Sequence, residues 1–107
     1  MTATDPRAAL DALIAEYTAR ANSIREDLAS SHSPDFAEQA GERENDEVLT
    51  AILVETEAAL RRVGMAKLRL ADGSYGYCQR CGEAIEPARL AILPAAEYCL
   101  DCADREH

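Results

Sequence analysis

Aromatic side chains are scarce in this chain of 107 residues: one Phe, four Tyr and no Trp. Large cores lean on aromatics for buried area, so the scarcity argues against a sizeable globular core. Leu, Ile, Val and Ala must do the packing, which suits helix-on-helix contact. No apolar run approaches the ~20 residues needed to span a bilayer. Residues 1–30 hold no stretch resembling a signal peptide, so a soluble, cytoplasmic protein without membrane association is expected. Basic residues are few as well, 11 Lys and Arg against 20 Asp and Glu, for a formal net charge of −9. Independent nucleic-acid binding needs a basic footprint, so direct sequence-specific DNA binding is not expected. A basic protein surface or a metal-bearing site is the more natural partner, and the acidity also favours solubility.

Cysteine occurs only four times, as Cys78-Gln-Arg-Cys81 and Cys99-Leu-Asp-Cys102, with 17 residues between the two pairs. That spacing falls in the range of four-thiolate zinc sites. Two such knuckles close a tetrahedron about one zinc and leave no position for water, so the site is structural. Two disulfides would suit a secreted chain. A thioredoxin-like redox pair would need a βαβ context, and the surroundings do not read that way. Gly82, directly after Cys81, permits the left-handed turn such a knuckle needs. Tyr77-Cys78 and Tyr98-Cys99 read as short extended stretches. Tyr75, Tyr77, Ile85 and Leu100 are expected to form the small core beside the metal.

Upstream, the pattern is helical. Asp5 followed by Pro6 signals a helix start. Leu10, Leu13, Ile14, Tyr17, Ala21, Ile24 and Leu28 then recur at steps of three and four, one apolar stripe on one face. Ser30-Ser-His-Ser-Pro34 breaks the pattern, with Ser33 as a candidate cap. A second helix is expected from about Pro34 to Leu70, which at roughly 35 residues rises about 50 Å. Its first half is polar, from Glu38 to Glu47. Its second half carries Val48, Leu49, Ile52, Leu53, Ala59, Leu60, Val63 and Leu68. A short connection between two long helices gives an antiparallel hairpin. Gly41 and Gly64 each cost about 1 kcal/mol relative to Ala in a helix interior. Gly64 reads as close packing or a bend. Arg61, Arg62, Lys67 and Arg69 form the one basic cluster, at the C-terminal end of this helix, where cations suit the helix dipole. Glu86 to Leu93 reads as one or two helical turns, and the tail from Leu100 as another short helix. The expected fold is therefore all-α: residues 1–70 a two-helix coiled-coil hairpin with its tip near 31–40, and residues 71–107 a four-cysteine zinc module.

The residues around the knuckles resemble a known family. Gly76-Tyr-Cys-x-x-Cys-Gly-x-x-Ile85, then Arg89-Leu90, Pro94 and Cys99-x-x-Cys102, are similar to the zinc-finger signature of the DksA/TraR proteins. Gln79 departs from it where an acidic residue or Ser is usual. The resemblance implies a helical hairpin on a zinc module that binds bacterial RNA polymerase directly, its hairpin in the secondary channel. It implies a monomeric transcription regulator, not an enzyme, that alters promoter open complexes, notably at ribosomal RNA promoters in the stringent response. The tip motif Asp-x-x-Asp-x-Ala corresponds to Asp35-Phe-Ala-Glu38-Gln-Ala40, with Glu38 in place of the second Asp. Asp35, Glu38 and Ala40 are thus the candidate contacts to the polymerase active centre. Arg62 and Arg89 fall where basic residues meet the channel rim or ppGpp, while Leu93 and Ala103 stand where DksA-like members carry positive charge. Alternatives are a transcript-cleavage-type factor and a zinc–thiol redox-sensing interaction module.

Overall fold

A computed structural model of the chain describes residues 5–30 and 36–105, and for 36–40 the backbone alone. Four helices follow in order: α1 (Pro6–Ala29), α2 (Phe36–Asp72), α3 (Pro87–Ile92) and α4 (Leu100–Arg105). Asp5 caps α1: its carboxylate accepts a hydrogen bond from the N–H of Arg7 at 3.0 Å, with Pro6 at the first helical position. A helix of 37 residues such as α2 rises about 55 Å, which matches the molecule's longest dimension of 56 Å. The radius of gyration is 18.2 Å, against about 13 Å for a compact domain of this length. The shape is a rod with a small body at one end.

The two long helices run antiparallel. Arg25 pairs with Glu57 at 2.8 Å, and Lys67 with Asp11 at 2.7 Å. The apolar stripe of α1 is where the sequence puts it: Leu10, Ala21 and Ile24 are buried, and Leu13, Ile14, Tyr17 and Leu28 half-buried. The stripe of α2 is shifted. Its inward positions are Leu49, Leu53, Thr56, Leu60, Val63, Ala66 and Leu70, spaced by three or four as in the seam of a coiled coil. Val48, Ile52 and Leu68, expected in the core, are exposed. One seam position carries a polar residue, Thr56, and another a small one, Ala66, so counting large apolar residues selects neighbours of the seam. Buried Thr56 donates its hydroxyl to the carbonyl of Ile52 at 2.7 Å and leaves no polar atom unsatisfied.

α2 ends at Gly73, whose φ of +86° is a conformation that favours glycine. The N–H groups of Ser74 and Tyr75 turn back to the carbonyl of Arg69 at 2.9 and 3.1 Å. The Asp72 carboxylate accepts the Ser74 hydroxyl at 2.6 Å and its N–H at 2.9 Å. These bonds hold the Asp72 carboxyl below its ordinary pKa, the hydroxyl contributing most. The chain is thereby returned across the base of the hairpin. Tyr75 and Ala95 pack onto the cluster of Leu10, Val63 and Ala66, and the Tyr75 hydroxyl donates to the carbonyl of Pro94 at 2.7 Å. Arg69 is also taken out of solvent here. It is only 8% exposed, with Nη2 unpartnered, and so is no part of a solvated helix end.

Candidate metal centre and hairpin base

The first knuckle is a tight hairpin. The N–H of Cys78 donates to the carbonyl of Glu83 at 2.7 Å, that of Gly82 to Cys78 at 2.9 Å, and that of Ile85 to Gly76 at 2.7 Å. Tyr77 and Ala84 face each other in an isolated antiparallel bridge. Gly82 has a φ of +79°, the left-handed turn that lets Cys78 and Cys81 face the same point. The second knuckle is a helix start: Cys99 precedes α4 and Cys102 sits one turn inside it, with the N–H of Ala103 donating to Cys99 at 2.9 Å. Residues three apart share a helix face. The knuckles are stitched together by the N–H of Gln79 donating to Glu97 at 2.8 Å.

The four sulfurs converge, all within 4.8 Å of one another. Those of Cys81 and Cys99 are 3.8 Å apart. A tetrahedron with zinc–sulfur bonds of about 2.3 Å has edges of about 3.8 Å, so the cluster has the size zinc requires. Its electrostatics point the same way. Burial opposes ionisation of Cys78, but N–H groups of Cys81, Cys99 and Arg80 directed at its sulfur bring the pKa down to about 6. Cys102 is pushed up to about 12 by burial and by the neighbouring thiols. Cys81 is raised as well: the N–H of Glu83 favours its thiolate, but burial and the thiols of Cys78 and Cys99 outweigh it. Four sulfurs this close cannot all ionise without a cation between them, and a divalent metal supplies it.

Around the sulfurs the module has a core of Ile85, Leu90, Ala96 and Tyr98. Ile85 is in the predicted place. Tyr75 packs at the hairpin base instead, and Tyr77 and Leu100 are half exposed. The reasons are local. Side chains alternate along an extended stretch, so Tyr77 points outward because Cys78 points in. Leu100 lies off the face that α4 turns to the metal with Cys102. Glu86 and Arg89 hold the scaffold: a Glu86 carboxylate oxygen accepts from the N–H of Leu100 at 3.2 Å, and Arg89 donates its Nε to the carbonyl of Tyr98 at 2.9 Å. Arg89 therefore braces the stretch leading into Cys99. Glu86 is the N-cap of α3 and Arg89 lies in its first turn, but the hydrogen bonds to the second knuckle are tertiary.

Of the tip residues, Asp35 lies outside the described residues. Glu38 and Ala40 fall in the first turns of α2, with side chains outside the description. The structure thus brings together the four cysteines and Arg89 at one end, sets Arg62 of α2 in the corner between hairpin and module, and has the opening turns of α2 at the far end of the rod. Arg62 is exposed and has no carboxylate partner among the described residues. It lines an open cavity of about 330 Å³ in the corner between hairpin and module, with Leu13, Tyr17, Ala59, Leu93 and Tyr98 among its other walls. Sequence reasoning missed this corner. It exists only because the module docks beside α2, which no residue pattern announces.

Two family models match the chain, in order and without overlap. Residues 7–70 match the DnaK suppressor protein-like N-terminal domain, and residues 73–106 the prokaryotic dksA/traR C4-type zinc finger. An uncharacterised protein of Aquifex aeolicus is 43% identical over 47 residues, covering 44% of this chain and 32% of that one. The RNA polymerase-binding transcription factor DksA of Caulobacter vibrioides is 39% identical over 46 residues, 43% of this chain and 32% of the relative. DksA of Haemophilus influenzae is 29% identical over 69 residues, 64% and 48% respectively. The chain therefore aligns with less than half the length of these relatives. Among solved structures, the transcription factor DksA2 of Pseudomonas aeruginosa superposes with a TM-score of 0.72 at 28% identity, covering 94% of this chain and 76% of that one. With a hairpin model over its first two-thirds, a C4 zinc-finger model over the rest and four sulfurs set for one structural zinc, this chain belongs to the DksA/TraR family.

Proposed function

We propose that the protein binds RNA polymerase directly, as a monomeric, cytoplasmic regulator of transcription with no enzymatic activity of its own. The observation that carries this reading is the pairing of the two family models on one chain, hairpin first and zinc finger second, in a family with members named RNA polymerase-binding. The shape supports it. A rod 56 Å long and under 30 Å across suits a channel, with the zinc module as the body that stops at the mouth. No described helix is long and apolar enough to cross a membrane.

In this reading the hairpin occupies the polymerase secondary channel and Asp35, Glu38 and Ala40 act at its tip. Carboxylates there suit a hard cation or a basic loop. Glu38 carries one methylene more than Asp, which moves its carboxylate by about 1 Å, a displacement that matters at an active centre. Arg62 meets the channel rim, or ppGpp, from the base. Arg89, whose Nε is engaged within the module, contributes its remaining guanidinium N–H groups. Open-complex lifetime at ribosomal RNA promoters is the expected output.

The test is transcription in vitro from a ribosomal RNA promoter with purified polymerase, with and without this protein, first in the absence of ppGpp. Inhibition that Asp35→Asn abolishes, with zinc content and binding retained, is the expected outcome. Binding with no effect on initiation but with RNA cleavage in backtracked complexes would replace regulation by a cleavage role. Absence of binding would remove the reading.

A further inference from the structure

The joint between hairpin and zinc module encloses a charge that it does not satisfy. Arg69 lies three residues beyond Ala66, and residues three apart share a helix face. The packing that covers Leu10, Val63 and Ala66 with Tyr75 and Ala95 therefore reaches Arg69 too, which is 8% exposed. Its Nη2 is shut off from solvent and has no hydrogen-bond partner among the described residues. The charge of Arg69 is felt at Asp72 and at Tyr75, where it favours both ionised forms. Both neighbours are engaged elsewhere. The Tyr75 hydroxyl donates to the carbonyl of Pro94, and the exposed Asp72 carboxylate takes both bonds from Ser74 through Oδ1. A buried charge with a bond left unmade opposes the state that buries it. An apolar side chain of similar length would hold the joint better.

The surroundings of Arg69 allow that opposition to act. The connection is Gly73-Ser-Tyr-Gly76, and both glycines have positive φ, +86° and +89°, a region that glycine leaves and re-enters at little steric cost. The described hydrogen bonds from hairpin to module fall within this turn: the N–H groups of Ser74 and Tyr75 to the Arg69 carbonyl, and Ser74 to Asp72. Beside the joint, the corner cavity of about 330 Å³ lies open between Leu13 and Tyr17 of α1 and Ile92 and Leu93 of the module. The module has room to tilt on that side. Each half, by contrast, is held internally. The hairpin has its seam and the Arg25–Glu57 and Lys67–Asp11 pairs. The module has its four converging sulfurs and the bond from Gln79 to Glu97. Two firm bodies, a weak contact and a connector of a few residues make a hinge.

We infer that residues 73–76 are a hinge and that Arg69 is its spring: the zinc module leaves the base of the hairpin as a rigid body, releasing Arg69 to water, while the seam and the knuckles stay folded. The docked form is the major state, because Leu10, Val63 and Ala66 favour burial. Arg69 sets how often it opens. The chain thereby carries an adjustable angle between rod and body. This is a property of the free protein, a pre-existing minor state that needs no partner to create it.

Native-state amide exchange on the full, zinc-loaded chain tests this, since each amide reports the opening that frees it. In the wild type, the N–H groups of Ser74 and Tyr75, whose bonds to Arg69 part when the hinge opens, should exchange at least tenfold faster than those of Cys78 and Gly82, whose bonds lie within the module. Arg69→Met keeps the length without the charge. It should slow Ser74 and Tyr75 at least tenfold and leave Cys78 and Gly82 within twofold. Arg69→Lys keeps the charge and should slow none of them. Zinc content and circular dichroism check the fold of each variant. Equal exchange at turn and knuckle in the wild type would mean that the module leaves only by unfolding, which overturns the hinge without recourse to a variant. Unchanged or faster exchange at Ser74 and Tyr75 in Arg69→Met would mean that Arg69 is idle or holds the joint, and slowing in both variants would mean that shape rather than charge is at work. Each of these overturns the spring.

Discussion

In the hairpin, burial is spread thinly along a long seam. In the zinc module, from residue 73 to 105, it is concentrated at one point, where three of the four buried residues are cysteines. A segment this short rarely folds on apolar area alone. Below about 40 residues, metals, disulfides or oligomerisation usually supply what the core lacks. The two halves therefore stand on different forces: periodic apolar packing in one, thiolate–metal bonding in the other. They meet at Leu10, Val63 and Ala66, where Tyr75 and Ala95 of the module settle on the hairpin.

That difference is broken most severely at the metal. Cys99→Ser should lose zinc and unfold residues 73–105, since binding free energies of structural zinc are on the order of 10 kcal/mol and are folding free energy. The hairpin should keep most of its helicity, because none of its seam residues depends on a sulfur. Zinc stoichiometry and backbone NMR resolve the two regions separately. Collapse of both together would show that the hairpin leans on the module more than its own seam implies.

The next largest effect lies where the halves meet. Leu10 is the one large side chain described as fully buried. Leu10→Ala should cost about 2–5 kcal/mol, the usual range for such a deletion, read as a lower urea midpoint. Tyr75→Phe removes only the hydroxyl that donates to Pro94 and should cost about 1 kcal/mol. The loss should fall on the docking of the module, seen as faster amide exchange over residues 92–96, with zinc retained. Faster exchange confined to the hairpin would mean that the bond does not hold the joint.

Much of this was legible in the residues and some was not, and the division follows the two forces. The knuckles are read from spacing because metal geometry dictates spacing. α1 is read from its stripe because every inward position is apolar. α2 misleads: polar Thr56 and small Ala66 occupy the seam, so Val48, Ile52 and Leu68 looked like core and are surface. Arg69 looked like a solvated cation and is buried, because the chain turns at Gly73 and lays the module against that side. Tyr77 and Leu100 were assigned inward by their chemistry, whereas alternation beside Cys78 and the face of α4 send them out. The corner cavity at Arg62 depends on the docking of the module and has no sequence signature. The tip register, by contrast, is carried by family resemblance alone, with Asp35 outside the described residues.

The smallest effect tests whether the hairpin is tuned or merely sufficient. Gly64 sits inside α2, where glycine costs about 1 kcal/mol relative to alanine. A Cβ built there meets nothing within 4 Å, and its φ is not positive. Close packing does not require it, and the helix runs unbroken through the position. Gly64→Ala should therefore stabilise the hairpin by about 0.5–1 kcal/mol, partly by restricting the unfolded chain, and leave zinc content unchanged. Thermal melts followed at 222 nm read the gain, and polymerase binding measured alongside gives it meaning. If stability rises and binding holds, the glycine is incidental and the seam tolerates a better helix. If stability rises and binding falls, the hairpin must bend at this position when it docks, and the force that holds it together has been kept deliberately weak one turn from the joint.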